Sequence, residues 1–123
     1  MNKQHDQAFW EAMANLVATH RVVIDRPKDK PHPRWPQLTY PLDYGYLEGT
    51  SASDGSGIDV WLGSLQIKML TGILCTFDTL KCDAEIKLLL GCTSNDMESI
   101  LSFYEYVKVL YISNPEEQHE SHT

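Results

Sequence analysis

Residues 39–64 read TYPLDYGYLEGTSASDGSGIDVWLGS, and this stretch decides the fold that we expect for the chain. The alternating apolar and aromatic residues over 38–47 and 58–65 are typical of β-strands. A bend rich in serine, glycine and aspartate joins the two strands. The stretch therefore predicts a strand pair with a polar tip, and Asp54 and Asp59 lie around that tip.

The flanking sequence predicts two helices and more strands. The first helix is expected to begin at Asp6 as its N-cap, and the second near Thr93 or Ser94. The first helix is expected to bury the stripe Phe9, Met13, Leu16 and Val17. Further strands are expected over 21–25, 68–78, 83–92 and 107–112. This order predicts an α+β domain, mainly β, built round a small antiparallel sheet or barrel.

Length, composition and charge exclude several classes of protein. The 123 residues suffice for one domain, expected over 1–113 and followed by a polar, disordered tail over 114–123. No apolar run is long enough to span a membrane, and the N-terminal residues lack a signal-peptide pattern, so we expect a cytoplasmic protein. The formal net charge of −7 argues against a nucleic-acid partner. A small domain with a helix at each end offers surfaces for a homo-oligomer.

The three cysteines form an odd set without a C-x-x-C pair, which argues against a disulfide framework and against a structural zinc site. They are Cys75, Cys82 and Cys92. We interpret all three as small hydrophobic residues in a reducing compartment.

Four aspartates lie where predicted strands meet loops, Asp54 and Asp59 around one bend and Asp78 and Asp83 around another. Taken singly, each is more typical of a turn or cap residue than of a metal ligand. Taken together, their hard oxygen atoms would select magnesium, manganese or calcium over zinc. Both interpretations stay open from the residues alone.

Basic and phenolic side chains near these aspartates suit a phosphate group. Arg26 carries the forked donors that bind phosphate oxygens, and Tyr40 and Tyr44 carry hydroxyl donors. The proline-rich loop over 26–36 adds Lys28, Lys30, His32 and Arg34. That loop is equally typical of a solvated basic surface. Residues 83–90 alternate, with Asp83, Glu85 and Lys87 on one face and apolar residues on the other.

The stretch YPLDYGYLEGTSASDGSGIDVW resembles the signature region of the soluble, magnesium-dependent inorganic pyrophosphatases, in which Y-P-x-N-Y-G-Y precedes D-G-D-P-x-D-V. The resemblance continues in VVIDRP upstream and GILCTFDTLKCDAEIKL downstream, over residues 21–90, and is strongest to a short, divergent bacterial branch. It implies a small antiparallel OB-like β-barrel with an N-terminal and a C-terminal helix. It also implies magnesium-dependent hydrolysis of pyrophosphate, a small phosphate-containing substrate, to orthophosphate by metal-activated water.

The resemblance also implies roles for individual residues. Asp54, Asp59 and Asp83 match the ligands of the principal magnesium, and Asp78 matches a ligand of additional metals, with Mn²⁺ as a possible substitute for Mg²⁺. The implied catalytic set is Asp54, Asp59 and Tyr44. The implied substrate-binding set is Arg26, Tyr40, Tyr44 and, more loosely, Lys108, to which we add Lys30 for its charge.

Among the departures from the pattern of the family, two bear directly on its chemistry. Ser56 replaces the middle aspartate of D-G-D-P-x-D, and Glu85 replaces the lysine of D-A-K. Serine is a poor general base, and a glutamate replaces a phosphate-binding cation by an anion. Two alternatives therefore stay open: a hydrolase of another small phosphorylated metabolite, and a catalytically weak metal- and phosphate-binding protein that retains the fold.

Overall fold

The computed structural model describes residues 3–116 and contains two helices and six strands in that range. The helices are α1, Lys3–Thr19, and α2, Ser94–Phe103. The strands are β1, Val22–Arg26; β2, Asp43–Leu47; β3, Asp59–Leu62; β4, Leu70–Asp78; β5, Asp83–Leu90; and β6, Lys108–Ser113. The prediction of an α+β fold that is mainly β is therefore confirmed.

All six strands form one sheet in the order β1-β2-β3-β5-β4-β6. Every neighbouring pair is antiparallel except β3 and β5, which run parallel. The expectation of a purely antiparallel sheet is wrong at this pair, because the chain crosses from β3 to the far side of β5 before returning. The sheet has two outer strands, β1 and β6, so a closed barrel is not confirmed.

The sheet packs a core on each face, because its central strands alternate apolar side chains to both sides. On one face, α1 packs against a core of Trp10, Leu47, Val60, Leu70, Ile73, Leu88 and Leu90. On the other face, α2 and the segment before β2 cover Tyr40, Leu42, Trp61, Leu74, Leu89, Met97 and Ile100. Residues 88–90 are completely buried, as expected for a strand that both layers cover.

The predicted ends of several elements differ from the observed ones. Helix α1 begins at Lys3, so Asp6 lies in its first turn and is not its N-cap. The buried stripe of α1 runs through Trp10, whereas Phe9 is 40% exposed. Residues 38–42 are not in a strand. They close the proline-rich loop instead, through a bridge between Pro31 and Thr39.

Helix α2 begins as predicted, at Ser94 after the N-cap Thr93. The backbone N–H of Asp96 donates to Thr93 Oγ1 over 3.1 Å, and the backbone N–H of Thr93 donates to Asp96 Oδ2 over 2.8 Å. This reciprocal pair is a capping box, which satisfies two N–H groups at the helix start.

The three cysteines are free thiols, and Cys82 is exposed at the turn between β4 and β5. The interpretation of all three as small hydrophobic residues therefore does not suit Cys82, whereas Cys75 and Cys92 are partly buried. Burial raises the pKa of Cys92 to about 12, so this thiol stays protonated at neutral pH.

The tail expected over 114–123 is described only as far as Glu116, and residues 117–123 lie outside the described residues. Its first residue, Asn114, is 3% exposed and donates a hydrogen bond to the carbonyl of Leu70 over 2.9 Å. Within residues 3–116, neither helix combines the length and the apolar character needed to cross a membrane.

Candidate functional site

A groove of about 380 Å³ opens on the α2 side of the sheet, which is large enough for a small ligand. The proline-rich loop, β4, β5 and the segment after α2 form its walls. Seven of its lining residues carry titratable or charged side chains: His32, Arg34, Asp78, Lys81, Asp83, Glu85 and Lys87. The predicted alternation of β5 is confirmed, because its three charged residues all line the groove.

Lys87 forms the base of this groove. Its side chain is 7% exposed, and its ammonium donates to Asp59 Oδ2 over 3.0 Å and to the Tyr44 hydroxyl over 2.7 Å. The Glu85 carboxylate lies 3.7 Å away. The ammonium also lies 5.3 Å from the centre of the Tyr44 ring, within the range of a cation–π contact. Two carboxylates, one hydroxyl and one aromatic ring therefore surround a nearly buried cation.

Asp78 and Asp83 flank the turn of the hairpin between β4 and β5, at directly opposed positions of the ladder. Asp78 Oδ1 accepts hydrogen bonds from the backbone N–H groups of Leu80 and Lys81, over 2.9 and 3.0 Å. These bonds, chiefly the one from Lys81, hold the pKa of the Asp78 carboxyl below its usual range. Asp78 is therefore an anion at neutral pH and is fixed by its own turn.

The groove has no formal excess of positive charge. Three of its lining side chains are cationic and three are carboxylates; the cations are Arg34, Lys81 and Lys87, and the carboxylates are Asp78, Asp83 and Glu85. Burial, with Arg26 and Arg34 nearby, lowers the pKa of His32, which makes it neutral at physiological pH. A multiply charged anion would therefore need a further cation to bind strongly here.

The two phenols beside Lys87 stay protonated. Burial is the largest cause that raises the pKa of Tyr44, and Tyr104 and Asp59 raise it further. Burial likewise raises the pKa of Tyr104. Tyr104 accepts a hydrogen bond from Trp61 Nε1 over 3.2 Å and lines the groove, which leaves its own O–H to donate. Tyr104 can orient a ligand in the groove, and neither phenol can serve as a base.

Tyr40 and Arg26 lie beside the groove without lining it. The Tyr40 ring stacks on His32 with centroids 5.8 Å apart and is 6% exposed. Burial raises the pKa of Tyr40, although the neighbouring Arg26 lowers it in part. His32 Nδ1 accepts hydrogen bonds from two backbone N–H groups of the loop, over 3.0 and 3.2 Å. The two predicted tyrosines, Tyr40 and Tyr44, lie close together, with ring centroids 5.7 Å apart.

Tyr44 and Asp59 contact Lys87 without lining the groove, and three further predicted site residues do not line it either. Asp54 is exposed, and its Oδ1 accepts from the backbone N–H of Ser56 over 3.0 Å, which is the turn role considered for it. Lys30 is exposed in the loop. Lys108 begins β6 and not a helix, opposite Phe77 and therefore on the other face of the sheet from the groove.

The predicted magnesium ligands are only partly brought together. Within residues 3–116, no three aspartate, glutamate, histidine or cysteine side chains are grouped closely enough to hold a metal ion. Asp83 lines the groove, Asp59 is paired with Lys87, and Asp54 is in the exposed bend. The assignment of Asp54, Asp59 and Asp83 to one metal stays a prediction.

A different pair of carboxylates suits a divalent cation. Asp78 and Asp83 are opposed across the hairpin and line the groove together. Magnesium commonly takes one or two carboxylates from the protein and completes its shell with water and substrate phosphate oxygens. The donor chemistry of this pair therefore fits a cation that is held jointly with a phosphate.

From the sequence, Lys87 was identified only as one residue of the charged face of 83–90, and no role was assigned to it. Thr76 and Tyr104, which also line the groove, had no assignment either. The signal for Lys87 was available, because a lysine directly before three buried leucines is unusual unless its charge is paired.

The fold is shared with bacterial phosphatases of known structure. An inorganic pyrophosphatase from Coxiella burnetii matches with a TM-score of 0.60 and 16% identity, over 82% of this chain and 89% of that chain. An inorganic phosphatase from Anaplasma phagocytophilum matches with a TM-score of 0.56 and 18% identity, over 81% and 88%. An inorganic pyrophosphatase from Helicobacter pylori matches with a TM-score of 0.56 and 17% identity, over 81% and 86%. No protein-family model and no curated protein matches the chain.

Proposed function

We propose that this chain hydrolyses inorganic pyrophosphate to orthophosphate in the groove above Lys87, with Mg²⁺ or Mn²⁺ as its cofactor. The observation that carries the proposal is the groove itself, which combines cations, two opposed carboxylates and one protonated phenol on a fold shared with inorganic pyrophosphatases. The sequence resemblance over 21–90 supports the same reaction.

The residues of the groove divide the work of binding. Arg34 and Lys81 would bind phosphate oxygens from two walls of the groove, and Tyr104 would donate a hydrogen bond from a third side. Asp78 and Asp83 would hold the divalent cation. When bound, that cation neutralises phosphate oxygens and polarises the attacking water. Asp83 is the carboxylate we assign to orienting that water, because Asp78 is held by its own turn.

The charge of the groove explains why a cation would be needed. Its three cations and three carboxylates cancel, so pyrophosphate alone gains little from the groove as a whole. A divalent ion at Asp78 and Asp83 would turn this balance positive. Activity should therefore depend on the metal for binding as well as for chemistry.

A second candidate is favoured by Glu85, which lines the groove 3.7 Å from Lys87. This carboxylate removes positive charge from the place where a second phosphate would lie. In that case the chain is a hydrolase of another small phosphorylated metabolite, or a catalytically weak protein that binds metal and phosphate. A substrate panel separates these functions.

The test is phosphate release from pyrophosphate, tripolyphosphate, nucleotides and sugar phosphates, each with Mg²⁺ and with a chelator. We expect release from pyrophosphate with Mg²⁺, and a loss of about a hundredfold or more in Asp83→Asn. Glu98→Gln, which removes an exposed carboxylate on α2 outside the groove, is the matched control. Release from a different substrate would favour the second candidate, and no release from any would remove catalysis.

A further inference from the structure

Lys87 is the least expected residue of the site, because its positive charge is almost buried and is already paired within the protein. The ammonium reaches Asp59 Oδ2 at 3.0 Å and Tyr44 at 2.7 Å, with Glu85 at 3.7 Å. Lysine is rarely buried unless it is paired, so these contacts are what allow the side chain to stay 7% exposed.

These contacts leave little room for a second cation at Asp59. A divalent ion bound to Asp59 would stand about 2 Å from a carboxylate oxygen. The Lys87 ammonium donates to the same carboxylate over 3.0 Å, so the two cations would repel each other at close range. Moving the ammonium aside would also break its bond to Tyr44 and take a charge from its partners.

Asp78 and Asp83 are in a different situation. Asp83 is exposed at the start of β5, and no ion pair is present at either carboxylate among the described residues. Asp59 and Glu85 therefore already have a cation supplied by the protein, whereas Asp78 and Asp83 are open to a cation from solution.

We propose that the Lys87 ammonium occupies the cation position at Asp59, so that Asp59 is the counter-ion of a lysine and a divalent ion reaches it only by displacing that lysine. The divalent ion of the proposed function is then left to the Asp78 and Asp83 end of the groove. This inference deepens the proposed function and rests on its choice of groove, but it concerns the affinity for an ion and not the release of phosphate.

The test measures Mn²⁺ binding by isothermal titration calorimetry in the absence of any phosphate. The variants are Lys87→Met, Asp59→Asn and the double variant Lys87→Met/Asp59→Asn. Lys81→Met is the matched control, because it removes an exposed lysine from the same groove and reports the general effect of one positive charge.

Replacing Lys87 should make the Asp59 carboxylate available as a ligand for Mn²⁺. We expect Lys87→Met to bind Mn²⁺ about tenfold or more tightly than the parent chain, and Lys81→Met to gain less than about threefold. The gain should vanish in the double variant, because it depends on Asp59. Equal gains in Lys87→Met and Lys81→Met, or no gain in either, would overturn the proposal.

Asp59→Asn tests the proposal without removing the lysine, so it remains decisive if Lys87→Met does not fold. As a counter-ion, Asp59 can be lost with a change in Mn²⁺ affinity of less than about threefold, together with a lower melting temperature. A loss of affinity of about tenfold or more in this variant would make Asp59 a metal ligand and contradict the proposal. Phosphate release by the parent chain is measured separately, so the proposed function and this inference can fail independently.

Discussion

At the scale of single residues, the site is set by which charges are already paired. Asp59 has the buried Lys87 as its partner, whereas Asp78 and Asp83 face the groove. These three carboxylates have the same chemistry but therefore differ in whether they are free to bind a cation from solution. A list of acidic residues cannot reveal this difference, because it arises from where one lysine side chain ends.

Tyr44→Phe should destabilise the protein, because it removes one of the partners of a nearly buried ammonium. We expect the free energy of unfolding to fall by about 1–3 kcal/mol, the cost of leaving a buried charged donor short of a hydrogen bond. Urea denaturation measures the change. Tyr111→Phe on β6 is the control, since Tyr111 is 38% exposed and should change stability by less than about 0.5 kcal/mol. Equal effects of both substitutions would argue against a structural role for the Tyr44 hydroxyl.

Gly45 shows how close packing can fix a residue in the Y-G-Y stretch. A Cβ atom at this position would lie 1.9 Å from the carbonyl oxygen of Val23 on β1. Gly45→Ala should therefore separate β1 from β2 and lower the free energy of unfolding by more than about 3 kcal/mol. Thermal denaturation with Gly55→Ala as a control checks this. Gly55 has a φ of +87° but nothing within 4 Å, so only the backbone cost of about 1 kcal/mol is expected there. Similar losses at both glycines would contradict the steric explanation.

At the scale of elements, Asp96 joins α2 to the end of β3. Its Oδ2 accepts from the backbone N–H of Thr93 over 2.8 Å, and from the backbone N–H and the hydroxyl of Ser64 over 2.8 and 2.9 Å. Helix α2 in turn carries Tyr104 at its C-terminal end, beside the groove. The Asp96 carboxylate therefore holds α2 against the end of β3, and the segment after α2 forms one wall of the groove.

Asp96 should make stability depend on pH at the acid end. Burial raises the pKa of this carboxyl, but hydrogen bonds from Ser64 and Thr93 outweigh it and hold the pKa below its ordinary value of 3.8. A lowered pKa means that the stabilisation is complete above the ordinary value and is lost as the pH falls through the value in the folded state.

Asp96→Asn should therefore be less stable than the parent chain by about 1–3 kcal/mol at pH 7, and the gap should narrow below pH 3.8. Urea denaturation between pH 2 and pH 7 measures it. Glu98→Gln, on the exposed side of α2, is the control and should show no such gap. A gap that is independent of pH would mean that the charge of Asp96 does not contribute.

Elements whose apolar residues recur at a regular spacing were predictable from the sequence. The pairing of strands that are distant in the chain was not. The alternation in β5 and the capping residues of α2 were read correctly because both depend on residues near in sequence. The parallel pairing of β3 with β5 was missed because it depends on a crossover between distant segments. Residues 38–42 were taken for a strand because their apolar pattern also suits a loop that covers the core.

The candidate site was predictable in composition and only partly in geometry. Asp78, Asp83 and Tyr44 were named from their pattern, and the structure places the two aspartates in the groove and Tyr44 at its base. Asp54 and Lys108 were named from the resemblance to the inorganic pyrophosphatases, and neither lines the groove. Lys87 was missed because its role depends on contacts with Tyr44 and Asp59, which lie 43 and 28 positions away in the chain.

At the scale of the whole molecule, one face of the sheet exposes apolar residues beyond the end of α1. The register of β5, β4 and β6 puts them on the same face: Phe77 is 45% exposed, Ile86 49%, Leu110 61% and Ile112 40%. This patch extends to β6, an outer strand of the sheet in the described part of the chain. An apolar patch that continues to an edge strand suits a second copy of the chain, whose own β6 can pair with it.

Self-association therefore stays our prediction, with this patch as the interface. Sedimentation velocity should show a dimer at micromolar concentration, and Leu110→Lys should weaken its association by about tenfold or more. Leu80→Lys is the control, because Leu80 is 93% exposed at the hairpin tip, outside the strand ladder. A monomer in the parent chain, or an equal effect of both lysines, would count against the interface.

A cation and a phosphate should stabilise the folded chain together more than separately. A ligand that binds only the folded state stabilises it by about 2.7 kcal/mol at a hundredfold excess over its dissociation constant. We expect Mg²⁺ with imidodiphosphate, a non-hydrolysable analogue, to raise the melting temperature more than the sum of the two alone, and a chelator to reverse the gain. The same gain in Asp83→Asn would place the ligands elsewhere.

Phosphate binding in the groove of Asp78, Asp83 and Lys87 can be tested directly by ¹H–¹⁵N correlation spectra during titration with imidodiphosphate and Mg²⁺. We expect the largest shifts at the amides of 76–87, with smaller ones at Arg34 and Tyr104. Shifts centred on the bend at 52–57, with residues 76–87 unchanged, would contradict it and return the site to Asp54.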